Sequence, residues 1–315
     1  AVGRDGTIFT SIVSDNATSI VRMAPGSTSV QLFQVPSVDL GAVGKRTVFP
    51  IQAMTVASDG SLWFQRGQIN RWDSVGGYTS AIGKLTAGGQ MSVYPVADRL
   101  YSPGSMVEGP DGSMWFSATC VCARNGFLEN TPANPTVDET GKMVVKKYTV
   151  PTKASGATGI GPHPSRLAIV GGNLWFVEQQ DDYATELNPA APINGNGAIG
   201  RLPLANPSNE SIVEYQLPAM HSRPMGITLG SDGNLWVTEA GANKLAQFST
   251  DGRLLAEFPV SGAPDDIVSG SDGQLYFTGG GAFEWKAQSH TDGLIGDQFP
   301  AWSVAPSTLQ KFVVK

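Results

Sequence analysis

The sequence is short of charged residues: Asp, Glu, Lys and Arg make up 15% of its 315 positions, against an ordinary share of about 25%. The 21 Lys and Arg are outnumbered by 27 Asp and Glu, which gives a formal net charge of −6. This deficit of positive charge argues against a nucleic-acid-binding protein, because phosphate contacts require Lys and Arg. No apolar run reaches the roughly 18 residues needed to cross a bilayer, and we expect no signal peptide in the sequence.

Cysteine and histidine are also scarce. The two cysteines, Cys120 and Cys122, are too few to bind a structural zinc ion, and their spacing differs from that of a redox Cys-x-x-Cys motif. A short-range disulfide and a pair of buried thiols both remain open. The histidines are His163, His221 and His290, so few imidazoles are available for acid–base chemistry.

Glycine is abundant, with 38 residues, and much of it lies in an internal repeat. Each copy has a short apolar stretch, an Asp-Gly or Gly-Gly turn, and a second apolar stretch that usually begins Leu-Trp-Phe. The second turn residues of the six copies are Gly6, Gly60, Gly112, Gly172, Gly233 and Gly273. These dipeptides tolerate positive φ, which a two-residue hairpin turn requires at both positions. The pattern therefore predicts six β-hairpins with two-residue turns.

Each hairpin is followed by further strand-like segments. Third strands are predicted at 81–85, 198–202 and 244–248, and fourth strands at 92–96, 213–217 and 256–260. Four short antiparallel strands in each of six repeats are typical of a β-propeller. We therefore predict an all-β fold, a six-bladed β-propeller with four-stranded antiparallel blades in one domain, residues 1–315. The aromatic residue at one position of each repeat is expected in the core between blades: Phe9, Trp63, Trp115, Trp175, Trp236 and Tyr276.

The two chain ends suggest how the ring closes. The chain begins almost at its first turn, so the first repeat lacks an inner strand. Residues 306–314 begin with proline, as the other inner strands do, and are predicted to complete the first blade. This closure would remove free sheet edges. Stretches 36–49, 120–142, 151–164 and 179–197 are expected to be loops.

Two runs, Arg223–Thr228 and Gly230–Glu239, followed by Gly241–Leu245, resemble the repeat of the virginiamycin B lyase (streptogramin lyase) family. The pattern recurs more weakly at 164–201 and 50–96. The resemblance implies a propeller that has a catalytic histidine in a Pro-His-Gly-Ile stretch. It also implies Mg²⁺ bound by a glutamate two residues before that histidine and by another at the end of the Leu-Trp-Phe strand.

Only part of that set is present here. Met225 occupies the position of the histidine, and Arg223 occupies the position of the preceding glutamate. The strand-end glutamate is retained as Glu239, with Glu178 at the matching place one repeat earlier. The resemblance thus supports the fold and argues against the family's reaction.

Candidate site residues follow from these comparisons. Glu178 and Glu239 are candidate ligands for Mg²⁺ or Ca²⁺, which prefer carboxylate oxygen; the alternative is that both are solvated strand ends. For catalysis, His221 or His163 would act as a base, or be a surface-loop histidine, and Arg223 would stabilise developing negative charge.

Ligand contacts are expected at Met225 and Asp265, which follow the prolines of inner strands, and at Trp72 and Trp285, which fall outside the aromatic pattern. Two functions fit. The first is an extracytoplasmic ligand-binding or protein-interaction module that uses the channel mouth and long loops. The second is a divergent metal-dependent lyase or hydrolase acting on a lactone, cyclic ester or glycan. We expect a secreted or periplasmic monomer whose partner is a small molecule, glycan or protein bound at one face.

Overall fold

The computed structural model describes residues 1–14, 17–36, 51–68, 79–96, 101–120, 126–151, 163–179, 197–219, 222–280 and 308–314. The regular secondary structure of the described residues is β-strand, apart from one short 3-10 helix, Asn209–Ser211. The contacts divide the chain into two compact units: residues 1–122 with 127–148, and residues 123–126 with 149–315. In the described ranges, no helix has the length and apolar character needed to span a membrane.

The first unit contains three antiparallel sheets, each with its strands in sequential order. The first sheet consists of β1 (Ile8–Val13), β2 (Thr18–Met23) and β3 (Gln31–Gln34). The second consists of β4 (Ile51–Val56), β5 (Leu62–Gln68), β6 (Thr79–Leu85) and β7 (Met91–Pro95). The third consists of β8 (Tyr101–Glu108), β9 (Met114–Cys120), β10 (Gly126–Thr131) and β11 (Lys146–Thr149).

The second unit contains the other three sheets. The fourth sheet consists of β12 (His163–Val170), β13 (Asn173–Gln179), β14 (Ala198–Pro203) and β15 (Val213–Gln216). The fifth consists of β16 (Pro224–Leu229), β17 (Leu235–Glu239), β18 (Lys244–Phe248) and β19 (Leu254–Pro259). The sixth consists of β20 (Pro264–Ser269), β21 (Leu275–Gly279) and β22 (Thr308–Phe312). Six sheets of three or four antiparallel strands confirm the all-β prediction and are consistent with a propeller-like fold.

Five of the six repeated aromatic residues are buried in the cores of the units, as predicted. Tyr276 is the exception: it is only partly buried, and its hydroxyl donates to Asp272 Oδ2 at 3.0 Å. Trp63, Trp115, Trp175 and Trp236 are at most 3% exposed. In the second unit, the Trp236 ring centroid lies 5.3 Å from that of Phe258 and 5.2 Å from that of Phe312. Such ring pairs add stability beyond the area they bury. The repeat position therefore encodes core packing.

The turns that join first and second strands differ from the prediction in five of the six repeats. In the second sheet, the Gly60 N–H donates to the Ala57 carbonyl at 3.0 Å, and the Ala57 N–H donates to the Ser61 carbonyl at 2.8 Å. This is a three-residue loop with its glycine at a φ of 77°. Asp59 accepts the Ser61 N–H at 2.9 Å, a side-chain bond that stabilises the turn without positive φ at the aspartate. Only Gly171 and Gly172, with φ of 58° and 73°, form the predicted two-residue turn.

The predicted role of the C-terminal strand is wrong. Strand β22 pairs with β21, with Phe312 opposite Leu275, so it is the third strand of the last sheet and does not complete the first. The reason is local packing and charge: the Phe312 ring packs on Trp236, and Lys311 Nζ lies 2.8 Å from an Asp272 carboxylate oxygen. Val2 forms a bridge with Ile8, so the N-terminal residues themselves lie beside β1.

Two related expectations also change. The first and last sheets have three strands each within the described residues, where four-stranded blades were predicted. The stretch 120–142 is not all loop, because it contains β10 and an isolated bridge between Val137 and Met143. The other expected loops fall almost entirely outside the described residues.

Candidate functional site

The first strands of the second unit share a break in pairing directly after their prolines. The register shifts between Pro164 and Leu167 in β12, between Pro224 and Ile227 in β16, and between Pro264 and Ile267 in β20. Each shift is a β-bulge, which redirects side chains and is common beside active sites. The bulges present three residue pairs: Ser165–Arg166, Met225–Gly226 and Asp265–Asp266.

Threonine hydroxyls fix two of these bulges. The Gly226 N–H donates to Thr238 Oγ1 at 2.7 Å, and that hydroxyl donates to the Asp265 carbonyl at 2.6 Å. The Asp266 N–H donates to Thr278 Oγ1 at 3.2 Å. A Cβ atom at Gly226 would lie 2.9 Å from the Asp265 carbonyl oxygen, so glycine permits the close approach of β16 to β20. The side chains at the bulges are therefore held on a defined backbone.

Four charged residues converge there, and we call them the charged cluster: Arg166, Arg223, Asp265 and Asp266. Arg166 Nη2 lies 3.4 Å from Asp266 Oδ2, and the two side chains are 42% and 48% exposed, respectively. Burial raises the pKa of Asp265, and the negative charge of Asp266 adds to that effect. The positive charges of Arg166 and Arg223 oppose it. The cluster thus combines a half-buried carboxyl with two guanidinium groups.

Arg223 has a strained backbone. Its φ of 45° lies in the left-handed region, which non-glycine residues seldom occupy and which costs of order 1–3 kcal/mol. The residues after β17 hold this conformation: the Ala240 N–H donates to the Arg223 carbonyl at 3.1 Å, and the Gly241 N–H donates to the Ser222 carbonyl at 3.0 Å. Strained residues of this kind cluster at functional sites.

Glu239 lies at the end of β17, in register with Pro224 on one side and Lys244 on the other. Its side chain is completely buried, and neither carboxylate oxygen accepts a hydrogen bond from any described residue. Burial, followed by the neighbouring carboxylate of Glu257, raises the pKa of Glu239 to about 8 against the opposing charge of Lys244. Lys244 Nζ pairs with Glu257 Oε2 at 3.2 Å. Glu239 is therefore a protonated acid at neutral pH.

The prediction that Glu178 and Glu239 bind Mg²⁺ or Ca²⁺ finds no third carboxylate, histidine or cysteine ligand among the described residues. Both ions take about six or more oxygen ligands, several of them from protein carboxylates or carbonyls in a dedicated site. Glu178 and Glu239 are buried at equivalent positions, but no group of three His, Cys, Asp or Glu side chains comes together in the described ranges. Lys244 is the cation beside Glu239, and Arg223 replaces the family's other carboxylate.

The other predicted residues divide into two groups. Met225 lies partly buried in the β16 bulge beside Gly226. His163 begins β12 opposite Gln179, but its side chain lies outside the described part of the chain. His221, Trp72, Trp285 and Cys122 also lie outside it, and so does the side chain of Cys120, the last residue of β9.

Sequence reasoning missed Arg166, Asp266, Lys244 and Glu257. It considered only the first residue after each inner-strand proline, whereas a bulge presents two. The opposite charges at the second position, Arg166 and Asp266, were a usable signal. Lys244 and Glu257 carried no such signal, because their proximity to Glu239 depends on register across three strands.

Comparison with known proteins fits this architecture. The family model described as the virginiamycin B lyase family matches residues 144–286, which confirms the resemblance over that part of the chain. A streptogramin B lyase structure is 24% identical, with 88% of this chain and 74% of that chain covered and a TM-score of 0.58. A catalytically inactive Staphylococcus aureus virginiamycin B lyase with quinupristin is also 24% identical, with 88% and 75% covered and a TM-score of 0.57.

A Lactobacillus plantarum protein has a TM-score of 0.56 at 13% identity, with 90% of this chain and 77% of that chain covered. At these identities the likeness concerns the fold. No curated protein sequence matches the chain. The class defined by fold and comparison is thus an all-β, propeller-like protein. More particularly, its second unit carries repeats like those of the virginiamycin B lyases.

Proposed function

We propose that this protein binds a small polar organic molecule at the charged cluster of its second unit. The observation that carries the proposal is the convergence of Arg166, Arg223 and Asp265 on bulged, rigidly held strands. Guanidinium groups donate hydrogen bonds to carboxylate or carbonyl oxygens, and carboxylates accept them from hydroxyl or amide groups. The ligand is therefore a molecule with both kinds of group, such as a hydroxy acid or a peptide-like ester.

The partly exposed side chains support this location. Arg166 and Asp266 are open to solvent at the cluster, and Met225 adds a flexible apolar contact between the charged groups. Polar groups that converge beside an apolar surface are typical of small-molecule sites. We also propose that the protein acts as a monomer outside the cytoplasm and that its six sheets are the blades of a propeller.

The test is isothermal titration calorimetry of the full chain with two probes, quinupristin and D-gluconate. Quinupristin is chosen because a similar structure contains it. We expect at least one probe to bind, and binding to weaken at least tenfold in Arg166→Gln and in Asp265→Asn. The control is Arg253→Gln, which removes an exposed arginine from a turn. Failure of both probes to bind, or equal binding by all variants, would contradict the proposal.

A second function is supported by the raised pKa of Asp265. Burial raises the pKa of this carboxyl next to Arg223, which suits a proton-transfer group beside a cation that stabilises negative charge. The corresponding activity is opening of a cyclic ester, by elimination or by hydrolysis. Mass spectrometry of quinupristin after incubation separates the outcomes: hydrolysis adds one water, elimination gives a ring-opened isomer of unchanged mass, and binding alone leaves quinupristin intact.

A further inference from the structure

A separate cleft lies in the first unit, between the first and second sheets, and encloses about 680 Å³. It lies where the Asp-Gly turns of both sheets meet, with the turn at Gly3–Thr7 on one side and the turn at Ala57–Gly60 on the other. Small-molecule sites commonly have volumes of about 300–1,000 Å³. In its own unit, the charged cluster occupies the bulged starts of the strands, away from the turns. The cleft is therefore a different site.

Arg22 fixes the width of the cleft. Its Nη1 donates to the Ala87 carbonyl at 2.7 Å, and its Nε donates to Gln31 Oε1 at 2.8 Å. The guanidinium also stacks 4.9 Å above the centre of the Phe33 ring. These contacts join β2 to a turn of the second sheet, so the two walls are linked before any ligand binds. Preorganisation of this kind lowers the entropy cost of binding.

The charges that line the cleft are balanced. Arg4 and Arg22 supply two positive charges, and Asp5 and Asp59 supply two negative charges. The backbone and hydroxyl hydrogen bonds from Thr7 hold the pKa of Asp5 below its ordinary value. Burial acts to raise the pKa of Asp59, but hydrogen bonds from Ser61 and the nearby ammonium of Lys84 outweigh it. Both carboxylates are ionised near neutral pH, so the lining favours an uncharged ligand.

The lining also combines an apolar surface with polar edges. Val56 and the methyl groups of Ala24 and Ala87 contribute carbon surface, while Ser27 and Ser29 add hydroxyl groups at the edge. A pyranose ring has the matching character, with C–H groups on its faces and hydroxyl groups around its rim. The hydroxyls donate to carboxylates and accept from guanidinium groups.

We propose that the cleft binds a neutral sugar. The ring lies against Val56, Ala24 and Ala87, its hydroxyls donate to the carboxylates of Asp5 and Asp59, and the Arg4 guanidinium donates to a ring hydroxyl. This site is independent of the function proposed for the charged cluster, and either can fail alone.

Saturation-transfer-difference NMR on the full chain tests the proposal. The probes are methyl β-D-glucopyranoside, methyl β-D-galactopyranoside and N-acetyl-D-glucosamine, compared with charged D-glucuronate and glucose 6-phosphate. We expect signal from at least one neutral sugar, unchanged between 50 and 500 mM salt, and weaker or no signal from the charged sugars. Titration should give a Kd at least tenfold higher for Asp5→Asn and for Arg4→Gln.

The structure offers a matched control in Asp111→Asn. Asp111 accepts the Ser113 N–H at 3.0 Å in the same kind of turn as Asp5, but it does not line the cleft. Sugar binding should survive in this variant. Arg4→Gln serves if Asp5→Asn does not fold, because the Arg4 side chain forms no part of the turn. Absence of binding by every neutral sugar, preference for the charged sugars, or equal binding by all variants would overturn the proposal.

Discussion

Replacing Glu239 with glutamine should make the protein more stable at alkaline pH. Glutamine matches the shape of the protonated carboxyl that the buried site favours, but it has no proton to lose. Burial and the carboxylate of Glu257 raise the folded-state pKa of Glu239 from an ordinary value of 4.5 to about 8. The folded protein therefore binds this proton more tightly than the unfolded chain does.

The sign and size of the effect follow from proton linkage. A raised folded-state pKa gives stability that is complete below about pH 4.5, declines as pH rises, and is lost above about pH 8. Each pH unit in that window corresponds to about 1.4 kcal/mol, so the wild type loses at most roughly 5 kcal/mol from this group. We expect Glu239→Gln to equal the wild type at pH 4.5 and to exceed it by about 3–5 kcal/mol at pH 9.

The assay is urea unfolding followed by circular dichroism at pH 4.5, 7 and 9. Carbon-13 labelling of glutamate side chains gives a direct second readout, because the carboxyl signal that titrates near pH 8 should disappear in the variant. Glu139→Gln is the control, since Glu139 is exposed in a turn and its replacement should leave the pH profile unchanged. Parallel stability profiles for wild type and Glu239→Gln, or a variant less stable at pH 9, would refute the reasoning.

Four further substitutions test the packing and the site, with thermal or urea unfolding as the common measurement. Gly226→Ala should cost about 1–3 kcal/mol because its Cβ meets the backbone of β20, whereas Gly88→Ala, which has open space around it, should not. Thr238→Val should cost about 2–4 kcal/mol by breaking two buried hydrogen bonds, and serine at this position should restore most of it. Arg223→Gly should stabilise the fold by about 1 kcal/mol by relieving its backbone strain while weakening the binding of whichever probe binds the wild type; a loss of stability would count against the strain argument. Phe312→Ala should cost about 2 kcal/mol, and an unchanged Tm would contradict the pairing of β22 in the last sheet.

Much of the fold was predictable because the strands and turns of each repeat depend on residues that are close together in sequence. Short apolar stretches such as β14 and β18 are largely buried in the structure, and the turns between strands contain residues with known conformational preferences. The buried tryptophans were predictable for the same reason, since one repeat position meets the same neighbours in successive sheets. The pairing of residues 308–314 was predicted wrongly because a proline before an apolar stretch does not by itself determine that the stretch is an inner strand. The contacts of Phe312 and Lys311, which lie far apart in sequence from their partners, determine the pairing.

The candidate site was less predictable because it depends on a local irregularity. Comparing only the first residue after each inner-strand proline predicts Met225 and Asp265 as site residues. Each bulge presents the following residue as well, and this brings Arg166 close to Asp266. The environment of Glu239 is likewise set by register, since Lys244 and Glu257 belong to other strands.

Two residues that the resemblance implies are replaced here, and the replacements change the charge and the acid–base chemistry of the site. Arg223 places a positive charge where the resemblance implies a magnesium-binding carboxylate, and Met225 removes the imidazole that would act as a base. The remaining Glu239 lies beside Lys244, and burial raises its pKa to about 8, so a metal ion that bound there would have to displace this proton. At the strand ends where the resemblance implies metal ligands, this chain has the positively charged side chains of Arg223 and Lys244. In the function proposed above, the guanidinium groups of the charged cluster would donate hydrogen bonds to the oxygen atoms of the ligand.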